Sequence, residues 1–154
     1  MVRTGKTARA KALRALAWTM GVACVAIGFE HLLAGALALP GIADPGPTVD
    51  SFGRFMGAVF AGYGAAWIWT VRQTPVPGWA VRGLAGVMLL GGFGRVLGLA
   101  VDGRPHWFQL VLMGIELGLP PVYFWLADAE VGIGAAGVGG VAGAAGVDGR
   151  AARG

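Results

Sequence analysis

Four apolar stretches, over about residues 13–39, 52–71, 79–101 and 107–126, fill most of this 154-residue chain. Each is near the ~20 residues with which an α-helix crosses the hydrocarbon core of a bilayer. The breaks between them are turn chemistry: Pro40-Gly41 through Asp44-Pro45-Gly46-Pro47, then Thr74-Pro75-Val76-Pro77-Gly78, then Asp102-Gly103-Arg104-Pro105. Connections this short make consecutive helices antiparallel neighbours. The expected fold is therefore all-α, a polytopic membrane protein built as an antiparallel bundle of four transmembrane helices over residues 13–127. A basic N-terminal arm (1–12) precedes it, and a tail rich in Gly and Ala (128–154) follows. That tail has few side chains large enough to offset the entropy of ordering and is expected to be disordered and cytoplasmic.

Composition agrees, with 56% hydrophobic and 13% charged residues and a mean hydropathy of +0.67, outside the usual balance of a soluble domain. The net charge of +4 raises nucleic acid as a partner. Five of the twelve basic residues, however, gather where the first apolar run begins: Arg3, Lys6, Arg9, Lys11 and Arg14. Anionic lipid headgroups beside the bilayer are the simpler partner there, and nucleic acid is set aside. Cys24 is the single cysteine, so no intrachain disulfide can form, and its apolar surroundings suit a packing residue.

Orientation follows from Lys and Arg, which are retained on the cytoplasmic side. The arm carries five, Arg72 and Arg82 flank the second connection, and the first connection carries none. This places the chain in the cell (plasma) membrane as a multi-pass protein with both termini cytoplasmic. Trp18, Trp67, Trp69, Trp79 and Trp125 fall near the expected inner boundary, and Phe52 and Trp107 near the outer one, as aromatic belts do. Arg104 dissents from the outer connection beside Asp102. A secretory signal peptide is imitated by the basic arm, the first apolar run and Ala36-Leu37-Ala38, but the run is long for a signal core and holds Glu30 and His31.

Lipid gives helices no hydrophobic reason to associate, so close approach at small residues and polar contacts must hold the bundle. Gly21, Gly28 and Gly35 recur along helix one, Gly53, Gly57 and Ala61 along helix two, and Gly94 with Gly98 in helix three. Tight packing is the plain expectation, with a homo-oligomer or a membrane-protein partner left open. By helical rise, Glu30, Arg54, Arg95 and Glu116 lie in the outer half of the bilayer on four different helices. Isolated intramembrane charges are costly and usually face the bundle interior in pairs. The candidate site is thus a polar cluster of Glu30, Arg54, Arg95 and Glu116, joined by His31. Asp50, Asp102 and Gln109 are secondary candidates.

Asp50 is placed to cap helix two and stands one turn before Arg54. Gly91, Arg95, Gly98 and Asp102 share one face of helix three, as Gln109, Met113, Glu116 and Pro120 share one of helix four. The glutamates suit proton acceptance or cation contact, and the arginines suit carboxylate or phosphate. His31 is a candidate proton shuttle, although a lone histidine in an apolar helix is more often hydrogen-bonded core. His106, after Pro105, reads as an exposed loop residue.

Several of these segments together resemble a bacterial family, the domain of unknown function DUF4345. They are Pro40-Gly41, Asp50-Ser51-Phe52-Gly53-Arg54-Phe55, Gly91-Gly92-Phe93-Gly94-Arg95, Asp102-Gly103-Arg104-Pro105, and Glu116-Leu117 with Pro120. The likeness covers roughly Leu16 to Leu126. It implies a four-helix membrane protein of no established activity, with Arg54, Arg95 and Glu116 matching positions typical of that family.

Three functions compete. The first is binding or transport of a small zwitterionic or anionic ligand through an outward-facing Glu/Arg cluster. The second is a structural or accessory subunit whose charges only fix helix packing. The third is a membrane enzyme using Glu30, His31 or Glu116 in acid–base chemistry on a lipid-like substrate. No nucleophile with a base and no His-rich metal motif is present, so catalytic residues stay unassigned and no metal or cofactor is expected.

Overall fold

The computed structural model describes residues 2–128, with side chains from residue 8 onward. The tail expected to be disordered lies outside the described residues, apart from Asp128 at its start. Four long helices run in chain order: α1 (Val2–Ala34), α2 (Pro47–Arg72), α3 (Gly78–Val101) and α4 (Trp107–Asp128), with no strand among the described residues. A helix occupies each of the four expected stretches, and α1 continues back through the basic arm. Three stretches, Ala8–Ala38, Gly78–Val101 and Trp107–Asp128, are long and apolar enough to cross a membrane. Helix α2 has the length, but its glycines, Arg54, Tyr63, Trp67 and Trp69 lower its hydropathy.

The α1–α2 contact is made by glycine. A Cβ on Gly28 would stand 2.4 Å from Ala61 N and 2.7 Å from Gly57 O. One on Gly57 would stand 2.5 Å from Leu32 N, and one on Gly64 2.6 Å from Gly21 O. The two backbones therefore touch along antiparallel faces, as small-residue stripes permit. Helix α3 differs from expectation: nothing lies within 4 Å of a Cβ on Gly94, and on Gly98 only an Asp102 oxygen at 3.9 Å. Gly94 faces outward, and Gly98 borders the groove between α3 and α4 without touching a neighbouring helix. Gly92, two residues before that pair, is the packed one: a Cβ there would stand 2.6 Å from Leu117 Cδ2 of α4.

The core fills one end of the bundle. Leu13, Ala17, Trp67, Val71, Val81, Ala85, Tyr123, Leu126 and Ala127 are buried there together. The Trp67 and Tyr123 rings lie 4.5 Å apart, and Tyr63 meets Trp67 edge-on at 6.2 Å. Tyr63 Oη donates to Leu84 O at 2.7 Å and Tyr123 Oη to Leu16 O at 3.2 Å, tying α2 to α3 and α4 to α1. Trp67 is thus a core residue and not part of an interfacial belt. Trp18, Trp69, Trp79 and Trp125 remain exposed at this end, and Arg9 stacks over Trp125 at 4.1 Å. Phe29, Leu33, Phe55, Leu90, Leu97 and Val101 are also exposed, an apolar exterior far larger than water-soluble surfaces tolerate.

Candidate functional site

At the opposite end the α1–α2 and α3–α4 pairs leave a cavity between them, and the expected charge cluster is divided in two. The first part is a clamp on the end of α1. Helix α1 stops at Ala34, where Gly35 turns the chain with φ +62°, a region that favours glycine. Arg54 donates from Nη1 to the carbonyls of Leu32 and Leu33 at 2.9 and 2.8 Å, two acceptors that the helix end leaves without partners. Its Nε donates to Asp50 Oδ2 at 2.9 Å, while Asp50 Oδ1 accepts the Ala36 N–H at 3.2 Å. Asp50 therefore does not cap α2. That helix starts earlier, with Gly46 at the cap and Pro47 in its first turn, which leaves the carboxylate free to serve α1.

At the other end of the hairpin Arg14 does the same for α2, donating to Val71 O and Gln73 O at 3.2 Å each.

The hydrogen bond from Arg54 holds the Asp50 carboxyl below its usual range against the opposing effect of desolvation, helped to a lesser degree by the Ala36 N–H and the arginine charge. A group with a depressed folded pKa stabilises the fold above its ordinary value of about 3.9, and that contribution disappears as pH falls through the lower folded value. Thermal unfolding of the wild type and Asp50→Asn in detergent, followed from pH 7 downward, should show midpoints that differ at neutral pH and converge in acid. A gap of constant size would remove the carboxylate from this role.

The second part joins α3 to α4. Arg95 Nε donates to Glu116 Oε2 at 2.7 Å, and Nη1 donates to Gln109 Oε1. Two of the five guanidinium N–H groups are used, which leaves three. The Glu116 side chain is only 14% exposed and Arg95 32%. The shared faces expected for α3 and α4 thus do meet, and Gln109 proves to be the direct partner of Arg95.

Beside this pair opens a cavity of about 480 Å³. Ile27, Phe52, Met56, Phe60, Phe108 and Leu112 form its apolar walls, and Glu30, His31, Arg95 and Gln109 bring polar atoms to it. His31 Nδ1 lies 2.9 Å from Ile27 O. A carbonyl oxygen only accepts, so Nδ1 donates to it, and Nε2 is the ring's remaining polar atom. Glu30, exposed on the same turn, is an acceptor on the α1 wall.

Of the sequence candidates, then, Glu30, His31, Arg95 and Gln109 line one space, with Glu116 holding Arg95 from behind. Arg54 and Asp50 belong to the helix clamp. Asp102 lies on a separate groove with Arg95 and Gln109. His106 is exposed, as expected, and its Nδ1 also accepts the Phe108 N–H at 3.3 Å across the first turn of α4. The aromatic wall was missed, although Phe52, Met56 and Phe60 recur every four residues on one face of α2. Among the described residues no group of three or more His, Cys, Asp and Glu side chains could hold a metal ion.

No curated protein and no solved structure matches the chain. The family model described as Domain of unknown function (DUF4345) matches residues 12–127, the whole length of the bundle, and the chain belongs to that family.

Proposed function

We propose that this chain is a multi-pass protein of a bacterial inner membrane that binds a small amphipathic molecule in the cavity at the open end of its bundle. Both termini are cytoplasmic, and the cavity faces outward. The carrying observation is the convergence of four polar side chains on an otherwise apolar cavity, the usual make-up of a small-molecule site. The wall on α1 offers acceptors, Glu30 and, on a neutral ring, His31 Nε2. The wall on α3 and α4 offers donors, the remaining Arg95 N–H groups and the Gln109 amide nitrogen. A matching ligand has an apolar body, a donor such as a hydroxyl at one end and an acceptor such as a carbonyl or carboxylate at the other. The aromatic core around Trp67 and Tyr123 fills the opposite end of the bundle, which favours binding over conduction. The reading in which the charges serve packing alone is favoured at Arg14 and Arg54, whose bonds all go to helix ends or to Asp50.

Native mass spectrometry of the gently solubilised protein tests this reading. The wild type should carry a bound mass that both Arg95→Met and Leu112→Trp lose, the latter by filling the cavity while leaving every ion pair in place. An empty wild type, or a mass indifferent to Leu112→Trp, would turn the reading toward a packing role.

A further inference from the structure

Arg95 and Gln109 are shared by two spaces. On one side is the cavity just described. On the other is a groove of about 310 Å³ between the end of α3 and the start of α4. Its upper part is polar, with Asp102 and Arg104 from the connecting turn, and its lower part is apolar, with Leu99, Leu110 and Met113.

This polarity has a direction. Both helices that form the groove are candidate spans, ending at Val101 and beginning at Trp107, so the turn between them lies at the edge of the hydrocarbon. Leu99, Leu110 and Met113 then lie at the depth of acyl chains, and exposed Trp107 marks the interface. The Cα of Arg95 lies seven residues before Asp102, about 10 Å deeper along the helix. Its side chain nevertheless reaches Gln109, in the first turn of α4, and brings positive charge up toward the turn. Asp102 and Arg104 make no side-chain hydrogen bond or ion pair among the described residues. One carboxylate and two guanidinium groups therefore face the headgroup layer at the top of an apolar slot.

We propose that this groove seats one phospholipid with a primary-amine headgroup. Its ammonium meets Asp102, its phosphate lies against Arg104 with Arg95 beneath, and one acyl chain runs down Leu99, Leu110 and Met113. A primary ammonium donates hydrogen bonds to a carboxylate, which a quaternary one cannot do. The groove therefore separates phosphatidylethanolamine from phosphatidylcholine, two lipids of equal net charge. The seat is independent of any ligand in the neighbouring cavity.

The test presents the full chain in mild detergent with an equimolar mixture of phosphatidylethanolamine, phosphatidylcholine and phosphatidylglycerol of one acyl composition, read by native mass spectrometry. One phosphatidylethanolamine should be retained about tenfold over phosphatidylcholine, the factor that one charge-assisted hydrogen bond supplies. Asp102→Asn should abolish that preference, and Arg104→Gln should weaken all three lipids. Neither side chain holds the bundle together, so both variants should keep the wild-type circular dichroism and melting profile. Equal retention of the three lipids by the wild type, or an ethanolamine preference that survives Asp102→Asn, overturns the proposal.

Discussion

One methyl group at Gly28 is expected to destabilise the bundle by about 3 kcal/mol, the upper end of what overpacking costs. The added Cβ would meet the Ala61 N, the Gly57 O and the Ala61 Cα at 2.4, 2.7 and 2.8 Å. All three are backbone atoms of a continuous helix, so no side chain can swing aside. The helices must separate, which opens the row of contacts at Gly21, Gly57 and Gly64 as well. The same change at Gly94 adds a methyl group with nothing within 4 Å and should be neutral or slightly stabilising, since alanine is the better helix former. Unfolding of Gly28→Ala and Gly94→Ala in mixed micelles, followed by Trp fluorescence, separates the two. Equal midpoints would mean that the α1–α2 seam is looser than drawn.

The second large effect is expected at Arg95. Arg95→Met leaves Glu116, 14% exposed, with no cation at 2.7 Å and should cost about 2 kcal/mol, because an unpaired charge is left in a poorly solvated place. Glu116→Leu should cost a similar amount for the converse reason. The double variant, with two apolar side chains of suitable length, should cost about 2–3 kcal/mol rather than the sum of about 4, a coupling energy of about 1–2 kcal/mol in a double-mutant cycle. Strictly additive losses would show that the pair contributes no mutual stabilisation. Polar contacts between membrane helices average well under this value in measured cases, so a coupling near its top would single out α3–α4 as held by charge, in contrast to α1–α2, which is held by glycine.

Those two seams differ in how readily the sequence announced them. Hydropathy and the Pro/Gly turns mark the helices because span length and backbone chemistry are local properties. The glycine rows of α1 and α2 are legible for the same reason, since a repeat along one helix needs no knowledge of its neighbour. Which way a helix is turned within the bundle is not local. Gly94 and Gly98 form the same motif as the packed glycines yet bring no neighbouring helix into contact, because the α3–α4 contact runs through Gly92 and Leu117. Arg54 and Arg95 lie at similar depth, yet one turns to the end of α1 and the other to α4. Depth follows from residue counting, whereas azimuth depends on packing among all four helices. Trp67 illustrates the same limit: four other tryptophans near its level are exposed, and its own burial against Tyr123 needs a partner 56 residues away. The cavity also escaped notice because its apolar wall combines Phe52, Met56 and Phe60 with Phe108 and Leu112 from the far side of the bundle.

A bundle locked around aromatic rings at one end and holding a cavity at the other is, mechanically, a pair of tweezers. The Trp67–Tyr123 contact stands near the pivot and the Arg95–Gln109 wall near the tips. Between Tyr123 and Gln109, 14 residues or about 21 Å of helix, a tilt of about 5° at the pivot moves the tips by about 1.8 Å. That distance exceeds the tolerance of a hydrogen bond, so a small repacking of the rings would be enough to make or break contact with a ligand bound as proposed.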